Sequence, residues 1–338
     1  MLALHLLTRV PIIQMTYPTC VDSMTLRILV TGGSGLVGYG VRAALPIVSD
    51  ISASWHFVGS RDADLRDPAQ TNQLFDRIRP THVLHLAAKV GGLFNNMRQK
   101  VEFFRDNMAM TLNITDACHR YGVQKLVSCL STCIFPDDTP YPIDESMVHS
   151  GPPHSSNYPY AYAKRMIDVL NSAYSEQHGL AFTSVIPTNI FGPHDNFHLE
   201  DAHVIPALIH KCHLAQQTGS PFVVSGTGSP LRQFLFSEDL GRLLVWTLLN
   251  YEDSAPLILS VDESAEISIG DLARMIAIEM GFTGEVQFDT SRPDGQFKKT
   301  ASNAKLRGLL PDFSFTPMQE GLRKSVRWFL NNQETFRH

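Results

Sequence analysis

Short apolar runs alternate along the first half of the chain with longer stretches in which apolar residues recur every three or four positions. Such short runs are typical of buried parallel strands, and such longer stretches are typical of amphipathic helices. The predicted strands are Leu26–Thr31, Trp55–Gly59, His82–Leu86, Lys125–Leu130 and Thr183–Ile186. The predicted helices between them are Leu36–Leu45, Ala69–Ile78, Val101–Tyr121 and Tyr160–His178.

This alternation predicts an α/β fold: a Rossmann-like, doubly wound parallel sheet with helices on both faces. After about residue 190 the pattern loosens into loops, short helices and Gly/Pro punctuation. We expect that region to form a smaller α/β substrate-binding domain over the carboxyl ends of the strands, where open α/β sheets bind their ligands.

The predicted domain boundaries follow from the same change of pattern. Residues 24–190, with a returning segment near 233–260, are assigned to the Rossmann domain, and residues 191–232 and 261–338 to the smaller domain. Residues 1–23 are interrupted by charged residues and prolines and lack the pattern of a signal peptide, so we expect a disordered extension.

The composition is that of a globular protein and excludes several functions. Of the 338 residues, 43% are apolar and 18% are charged, which rules out an intrinsically disordered chain. The net charge of −5 offers no basic field to a nucleic acid, and no apolar run is long enough to span a membrane. Five cysteines without a CxxC pair or zinc-ligand spacing indicate reduced thiols and a cytoplasmic location.

A glycine-rich loop joins the first predicted strand to the first predicted helix. Glycine there permits a tight turn, a close approach of the backbone to a pyrophosphate, and packing of the helix on the strand. Free N–H groups at the start of the helix would face the phosphates. The loop therefore predicts a dinucleotide site, which comprises Gly32, Gly33, Ser34, Gly35, Leu36, Val37 and Gly38.

The end of the second predicted strand indicates which dinucleotide binds. An acidic residue there would bind the ribose 2′-hydroxyl of NAD, whereas this chain has Ser60 and Arg61. A hydroxyl and a cation suit a 2′-phosphate, so the predicted cofactor is NADP(H). Asp64 and Leu65 follow at the position where the adenine would lie. A solvated surface role is the alternative for Arg61.

Tyr160 and Lys164 have the i, i+4 spacing that puts two side chains on one face of a predicted helix. We expect the Lys164 ammonium to lower the pKa of the phenol and make it a usable acid near neutral pH. Ser131 ends a predicted strand upstream, where its hydroxyl would bind the carbonyl oxygen that Tyr160 protonates. Tyr162 is a rival for the tyrosine role, but the Tyr-x-x-x-Lys register selects Tyr160.

With these motifs the chain resembles the extended short-chain dehydrogenase/reductase family of nucleotide-sugar enzymes. Within that family it is most similar to the 3,5-epimerase-4-reductases that convert GDP-4-keto-6-deoxy-D-mannose to GDP-L-fucose with NADPH. The likeness runs from about Arg27 to the C-terminus and rests on the segments LSTCIFP, AAKVGG, PYAYAKRM, PTNIFGPHDNFH and PDGQFKK. It implies inversion at C3 and C5 of the sugar and reduction at C4.

Cys133 follows Ser131 by two positions, and on an extended strand end residues i and i+2 point the same way. We therefore expect the thiol to face the same pocket as the hydroxyl. A reductase needs no such thiol, whereas a thiolate base and an imidazolium acid fit a reaction in which protons on carbon move. A small buried hydrophobe is the alternative for Cys133.

The resemblance assigns individual roles to these residues. Cys133 would be the base and His203 the acid, while Ser131 and Tyr160 hold the enolate oxygen. Tyr160 would also donate the proton at C4, and Lys164 would bind the nicotinamide ribose.

The resemblance also implies which residues bind the ligands. The cofactor would contact Pro187, Thr188, Asn189, Ile190 and His203, in addition to Tyr160 and Lys164. The GDP-sugar would contact Lys211, Ser225, Arg232 and Asp294. The family has tryptophan in a V-x-W-G-[TS]-G stretch where this chain has Ser225, whose side chain cannot stack on a base or a sugar.

Two other functions fit parts of this pattern. An NAD-dependent 4-epimerase or dehydratase of the same fold is the alternative enzyme, although a dehydratase is expected to carry acidic residues where this chain has Cys133 and Ile134. A non-enzymatic NADP-sensing regulator is expected to have lost Tyr160 or Lys164, and both are present.

Two further expectations concern metals and assembly. No metal site is expected at His194, His198 and His203, because no carboxylate or cysteine completes a known ligand spacing. By resemblance, the two long predicted helices would form a four-helix interface in a homodimer, and packing against the sheet alone is the alternative.

Overall fold

The computed structural model describes residues 25–49, 51–199, 201–292, 294 and 296–334, so the predicted extension 1–23 lies outside the described residues. The strands are β1 (Leu26–Thr31), β2 (Ala53–Val58), β3 (His82–His85), β4 (Lys125–Cys129), β5 (Ala181–Pro187), β6 (Asn189–Phe191), β7 (Phe222–Ser225), β8 (Leu231–Arg232), β9 (Phe234–Phe236), β10 (Leu257–Leu259), β11 (Ile267–Ser268) and β12 (Val286–Asp289). The helices are α1 (Leu36–Ala44), α2 (Pro68–Ile78), α3 (Leu93–Arg98), α4 (Lys100–Arg120), α5 (Tyr158–His178), α6 (Val204–Thr218), α7 (Ser237–Asn250), α8 (Ile269–Glu279), α9 (Ala304–Leu309) and α10 (Met318–Asn331).

Six parallel strands form the central sheet in the order β10-β5-β4-β3-β1-β2. Their residues are apolar on both faces because both faces are covered by helices. On one face, Val41 of α1 and Leu240 of α7 pack with Ile28 in one buried cluster. On the other, Phe75 of α2 and Ile114 of α4 pack in a second cluster. The predicted doubly wound α/β fold is confirmed.

Helices α1 and α7 approach each other more closely than side chains would allow. A Cβ atom added at Gly40 would lie 2.0 Å from the carbonyl oxygen of Ser237, and one added at Gly241 would lie 2.1 Å from the carbonyl oxygen of Gly40. Both glycines are therefore required by the close approach of the two backbones.

The chain after residue 190 is more regular than its sequence pattern predicts. Three two-stranded ladders, β6-β9, β7-β12 and β8-β11, are accompanied there by long helices. Helices α6, α8 and α10 contribute Ile209, Leu272 and Phe329 to a separate buried cluster with the strand residue Phe222. The pattern is hard to recognise because α7 follows β9 without a linker and α6 has Pro206 near its start.

In the described part of the chain, no helix has the length and apolar character that crossing a membrane requires.

Candidate active site

The predicted functional residues lie mainly on segments that leave the carboxyl edge of the central sheet. The register pairs Thr31 with Val58 and with His85, and it pairs His85 with Ser128. Strands β1 to β4 therefore end side by side, and the loops that follow them lie next to one another.

The glycine loop turns directly from β1 into α1. The Gly33 amide donates to the Val58 carbonyl at 2.8 Å, and the Gly35 amide donates to the Gly32 carbonyl at 3.0 Å. Gly32 has φ +69°, and a Cβ atom at Gly38 would lie 2.6 Å from backbone atoms of Gly33. Gly35 precedes α1 without a side-chain cap, so the first amides of the helix are available to an anionic ligand.

The segment after β2 borders this loop. A Cβ atom at Gly59 would lie 2.6 Å from the hydroxyl oxygen of Ser34, so the two turns touch. Arg61 is exposed on the turn, and Leu65 is buried. The Asp64 carboxylate accepts from the Arg66 guanidinium at 2.7 Å, and these hydrogen bonds hold its pKa below the usual range. Arg61 thus provides an exposed cation soon after β2, where the 2′-phosphate is predicted to bind.

Ser131 and Cys133 follow β4 in a tight turn rather than on an extended strand. Ser131 is extended, but residues Thr132–Ile134 form a 3₁₀ turn that its side chain caps by accepting from the Cys133 amide at 3.5 Å. The expectation of an extended segment was therefore wrong. The turn still keeps the Cys133 thiol beside the Ser131 hydroxyl. A hydrogen bond between them acts to lower the pKa of Cys133.

Tyr160 and Lys164 lie on α5 as predicted, one turn apart. The Lys164 ammonium is buried and donates to the Cys129 carbonyl at 2.8 Å, which ties α5 to the end of β4. The Tyr160 ring packs edge-on against Phe103 at 5.9 Å between centroids. Arg165 donates to the Ile134 carbonyl at 2.9 Å and thereby fixes the turn that carries Cys133.

The electrostatics of this group differ from the prediction. We expected Lys164 to lower the pKa of Tyr160, but burial raises it well above its usual value, and the Cys133 and Cys129 thiols act in the same direction. Burial likewise lowers the pKa of Lys164. The reason is that Lys164 is buried and the half-buried Tyr160 is surrounded by protein atoms, so desolvation opposes each charged form.

The half-buried Cys133 thiol has a raised pKa, with burial as the largest cause. The positive charges of Lys299 and Lys164 oppose that increase. His203 caps α6 and is exposed, although nearby protein atoms still desolvate its imidazole and lower its pKa. The loop before it is fixed to the sheet edge because the Gly92 amide donates to the Asp201 carbonyl at 3.0 Å.

The predicted cofactor-contact residues after β5 also lie at this edge. Pro187 ends the strand, and the Thr188 amide donates to the Leu259 carbonyl at 3.2 Å. Among the described atoms, the buried Thr188 hydroxyl has no hydrogen-bond partner. Asn189 and Ile190 continue in β6, with the side-chain nitrogen of Asn189 donating to the Gln233 carbonyl at 2.9 Å. An unsatisfied hydroxyl, a glycine cradle and an uncapped helix start together fit a bound dinucleotide.

The predicted substrate residues form two separate groups. Lys211, Ser225 and Asp294 lie together around the ends of β7 and β12, where Ser225 pairs with Asp289. The charge of Asp289 also acts on Lys211. The Asp294 carboxylate accepts from the Thr227 amide at 2.9 Å and from its hydroxyl at 2.7 Å.

Arg232 forms the second group. It lies in the β8-β11 ladder, and its charge acts on Lys299. Its guanidinium donates to the carbonyls of Leu231 at 2.7 Å and Gln296 at 2.6 Å, so part of its role is to hold the 296–299 segment. Burial lowers its pKa.

A family model described as the NAD dependent epimerase/dehydratase family matches residues 28–261. The chain belongs to this family. Within it, the chain is similar to a GDP-L-fucose synthase of Dictyostelium discoideum, with 58% identity over 92% of this chain and 97% of that protein. A probable GDP-L-fucose synthase of Drosophila melanogaster is 51% identical over 92% of this chain and 99% of that protein.

A solved structure of the family has the same overall arrangement. The GDP-L-fucose synthetase of Naegleria fowleri bound to NADP is 52% identical, with a TM-score of 0.88 over 92% of this chain and 94% of that chain. These similarities support the epimerase-reductase among the enzymes of the family over the 4-epimerase or dehydratase alternative.

Two basic residues of this family member were missed by the sequence analysis. Lys299 acts electrostatically on Cys133, and Arg292 acts on Lys211 and lies 3.4 Å from Asp289. The PDGQFKK segment was quoted for its resemblance, so a signal for Lys299 was present, but no spacing rule connects it to a thiol so far away in the sequence.

The histidines that were considered for a metal have other surroundings. Among the described residues, no three His, Cys, Asp or Glu side chains are grouped so as to hold a metal ion. His194 stacks on Tyr39 at 3.5 Å between ring centroids, and His198 accepts from the Asp201 amide at 3.2 Å.

Proposed function

We propose that this protein converts GDP-4-keto-6-deoxy-D-mannose to GDP-L-fucose, inverting C3 and C5 and then reducing C4 with NADPH. The observation that carries the proposal is the thiol of Cys133, which forms a hydrogen bond with Ser131 and acts electrostatically on both Tyr160 and Lys164. Reduction alone needs only the hydroxyl, the phenol and the ammonium. A thiol among them supplies a base for carbon acids.

The C4 ketone makes the hydrogens on C3 and C5 acidic, because each carbanion is stabilised as an enolate. The Cys133 thiolate takes the C3 proton, and the imidazolium of His203 gives a proton to the opposite face. Ser131 and Tyr160 donate hydrogen bonds to the enolate oxygen while the charge develops. Cys133 then loses this proton to the solvent, His203 takes up another from the solvent, and the sugar turns so that C5 undergoes the same exchange.

NADPH, when bound, supplies the hydride for C4. Tyr160 donates its proton to the C4 oxygen, and its raised pKa keeps it protonated until that step. Lys164, which donates to the Cys129 carbonyl, would bind the nicotinamide ribose. The first amides of α1 bind the pyrophosphate, and Arg61 binds the 2′-phosphate.

The other residues proposed to contact ligands fall into a cofactor side and a substrate side. The cofactor side comprises Gly32, Gly33, Ser34, Gly35, Leu36, Val37, Gly38, Asp64, Leu65, Pro187, Thr188, Asn189 and Ile190. On the substrate side, Lys211 supplies positive charge to the diphosphate, while Ser225 and Asp294 border the nucleotide and Arg232 lies nearer to the sugar.

The reaction is tested by incubating the purified protein with NADPH and GDP-4-keto-6-deoxy-D-mannose in heavy water. We expect loss of the nicotinamide absorbance and a product with the L-fuco configuration that carries deuterium at C3 and C5. A reduced product whose C3 and C5 keep their configuration and carry no deuterium would show that the protein is a simple reductase.

Substrate and cofactor exchange provide the control. A UDP-4-keto sugar of the same configuration tests the nucleotide, and NAD⁺ with a GDP-hexose tests the 4-epimerase alternative. Turnover of the GDP-hexose with NAD⁺, with the cofactor unchanged at the end, would support the 4-epimerase instead.

The assembly is proposed to be a homodimer that pairs α4 and α5 with their copies. Apolar side chains are exposed on both helices, at Val101, Phe104 and Leu112 of α4 and at Tyr158 and Val169 of α5. Sedimentation should give twice the chain mass, and Leu112→Asp should give the monomer mass. Ile278→Asp, at an exposed apolar position of α8, is the matched control.

The domain division at residues 24–190, 191–232, 233–260 and 261–338 stays a proposal, which limited proteolysis checks. We also propose that the protein works in the cytoplasm, because Cys133 has to stay reduced and the four cysteines of the described chain are free.

A further inference from the structure

The segment that carries Lys299 is joined to the core beside the Cys133 turn. The Ile143 amide donates to the Thr300 carbonyl at 2.8 Å, and the Ser302 amide donates to the Ile143 carbonyl at 2.7 Å. Ile143 and Ala301 are fully buried and belong to the apolar cluster against which Cys133 packs. The backbone therefore brings Lys299 to the same cluster as the thiol.

A buried glutamine fixes this segment from the other side. The Gln233 side-chain oxygen accepts from the Ala301 amide at 2.8 Å, and its nitrogen donates to the carbonyls of Ala301 and Val261, both at 3.0 Å. The Thr300 hydroxyl donates to Glu266 at 2.6 Å. Because these groups are paired, the backbone next to Lys299 has a well-defined position, and the Lys299 side chain is half-buried rather than exposed.

The charged and titratable groups that act on Cys133 come from two neighbouring elements. Helix α5 contributes Tyr160, Lys164 and Arg165, and the C-terminal segment contributes Lys299. Of the positive charges, Lys299 lowers the pKa of the thiol more strongly than Lys164 does. Burial lowers the pKa of Lys299 itself; Cys133 and Asp137 oppose that decrease, and Arg232 adds to it.

Burial opposes both charged forms that proton transfer requires. It raises the pKa of the Cys133 thiol and lowers that of the His203 imidazole, so it favours the neutral pair. A second cation close to the sulfur acts against this tendency without taking up the proton. Lys164 already donates to the Cys129 carbonyl, and Lys299 adds a second positive charge from a different segment.

We propose that Lys299 is a positioning residue of the reaction centre, a fixed cation that makes it easier for Cys133 to form the thiolate that takes a proton from the sugar. The role in turnover rests on the proposed function. In that step the sulfur lone pair forms the S–H bond, the C–H electrons move into the enolate, and Lys299 keeps all its protons. Its charge thereby offsets part of the burial that disfavours the thiolate.

The test measures the reactivity of Cys133 in the ligand-free protein. The alkylation rate by iodoacetamide is followed at several pH values by mass spectrometry of the peptide that contains Cys133. We expect Lys299→Met to move the pH profile to higher pH and to slow alkylation about tenfold near neutral pH, which corresponds to about one unit of pKa. Lys299→Arg should restore most of the rate.

Lys298→Met is the matched control. Lys298 is the preceding residue, but its ammonium lies 3.8 Å from Glu266 and does not act on the thiol. An unchanged profile in Lys299→Met, or an equal shift in Lys298→Met, would overturn the proposal.

Lys299→Gln provides the same comparison if the methionine variant does not fold. Because alkylation needs no sugar, its result is separate from the proposed function. Absence of deuterium exchange in the wild-type protein would contradict the proposed epimerase activity. The alkylation profile alone decides whether Lys299 stabilises the thiolate.

Discussion

The dinucleotide side and the substrate side of the cleft are built by different means. On the proposed dinucleotide side, neighbouring segments approach closely at Gly33, Gly38 and Gly40, and the groups proposed to face the ligand are the amides at the start of α1. On the substrate side, the Gln233 and Asp294 side chains hold segments that are far apart in the sequence.

This difference decides what each side tolerates. A backbone-built site is lost when any side chain is added, because the space for a Cβ atom is missing. A site held by side chains has several partly independent contacts, so single substitutions there should change affinity or chemistry and leave the fold intact. Tyr160 and Cys133 lie where the two sides meet, and the following variants test the comparison in order of expected effect.

Tyr160→Phe should remove reduction and leave both binding sides unchanged. Loss of the proton donor to C4 is expected to lower the reduction rate by roughly 10²- to 10⁴-fold, while the dissociation constant for NADPH stays within twofold of wild type. Stopped-flow absorbance and cofactor titration measure the two quantities. Tyr162→Phe is the control, and a larger loss there would mean that the Tyr-x-x-x-Lys register has been assigned wrongly.

Cys133→Ser should separate epimerisation from hydride transfer. A serine hydroxyl is a far weaker base than a thiol, so deuterium incorporation at C3 and C5 should fall by ~100-fold or more. Reduction of the ketone should continue. Cys212→Ala, in the remote cluster with Phe222, should exchange deuterium normally. Normal exchange in Cys133→Ser would assign the base to another residue.

Gly40→Ala should destabilise the whole protein although Gly40 is not proposed to contact a ligand. The added methyl group would meet the Ser237 carbonyl at 2.0 Å, and overpacking of this kind costs about 1–3 kcal/mol of unfolding free energy. Gly308→Ala is the matched control, since no atom lies within 4 Å of the added Cβ atom there. Equal denaturant midpoints for the two variants would show that the α1–α7 contact adapts easily.

Arg61→Ala tests whether one side chain matters on the backbone-built side. Arg61 is exposed, so we expect the lower end of the effect of a charge-assisted contact, about tenfold weaker NADPH binding, or ~1.4 kcal/mol, with NADH binding unchanged. Isothermal titration with both cofactors measures it. Arg66→Ala is the control because Arg66 is paired with Asp64. A fully retained NADPH preference in Arg61→Ala would assign the phosphate to another cation.

The sequence predicts the dinucleotide side well because its determinants are local. Gly32 to Gly38 are contiguous, and Tyr160 and Lys164 are one helical turn apart, so spacing alone reveals them. The alternation of strands and helices up to β5 was also correct, with end points shifted by at most a few residues, since each element has a clear apolar period.

The substrate side is much harder to predict because its contacts are long-range. Lys299 reaches Cys133 only through pairing with Ile143 and the clamp of Gln233, and neither leaves a periodic pattern. The 3₁₀ turn at Cys133 was missed for a different reason: a three-residue turn is too short to have a period. The raised pKa of Tyr160 depends on burial, which a helical spacing does not reveal.

The contact of Gly40 with Gly241 has a consequence for protein engineering. Neither position can gain a side chain while the two helices stay in contact, although the positions belong to distant parts of the chain. In a screen of all single substitutions, variants at position 241 should need a higher cofactor concentration for activity. A side chain there would displace α1 and move its first amides away from the proposed pyrophosphate position. A nucleotide-binding segment transplanted from a relative would work only if the recipient chain also has glycine, and therefore no side chain, at the position that faces it on α7.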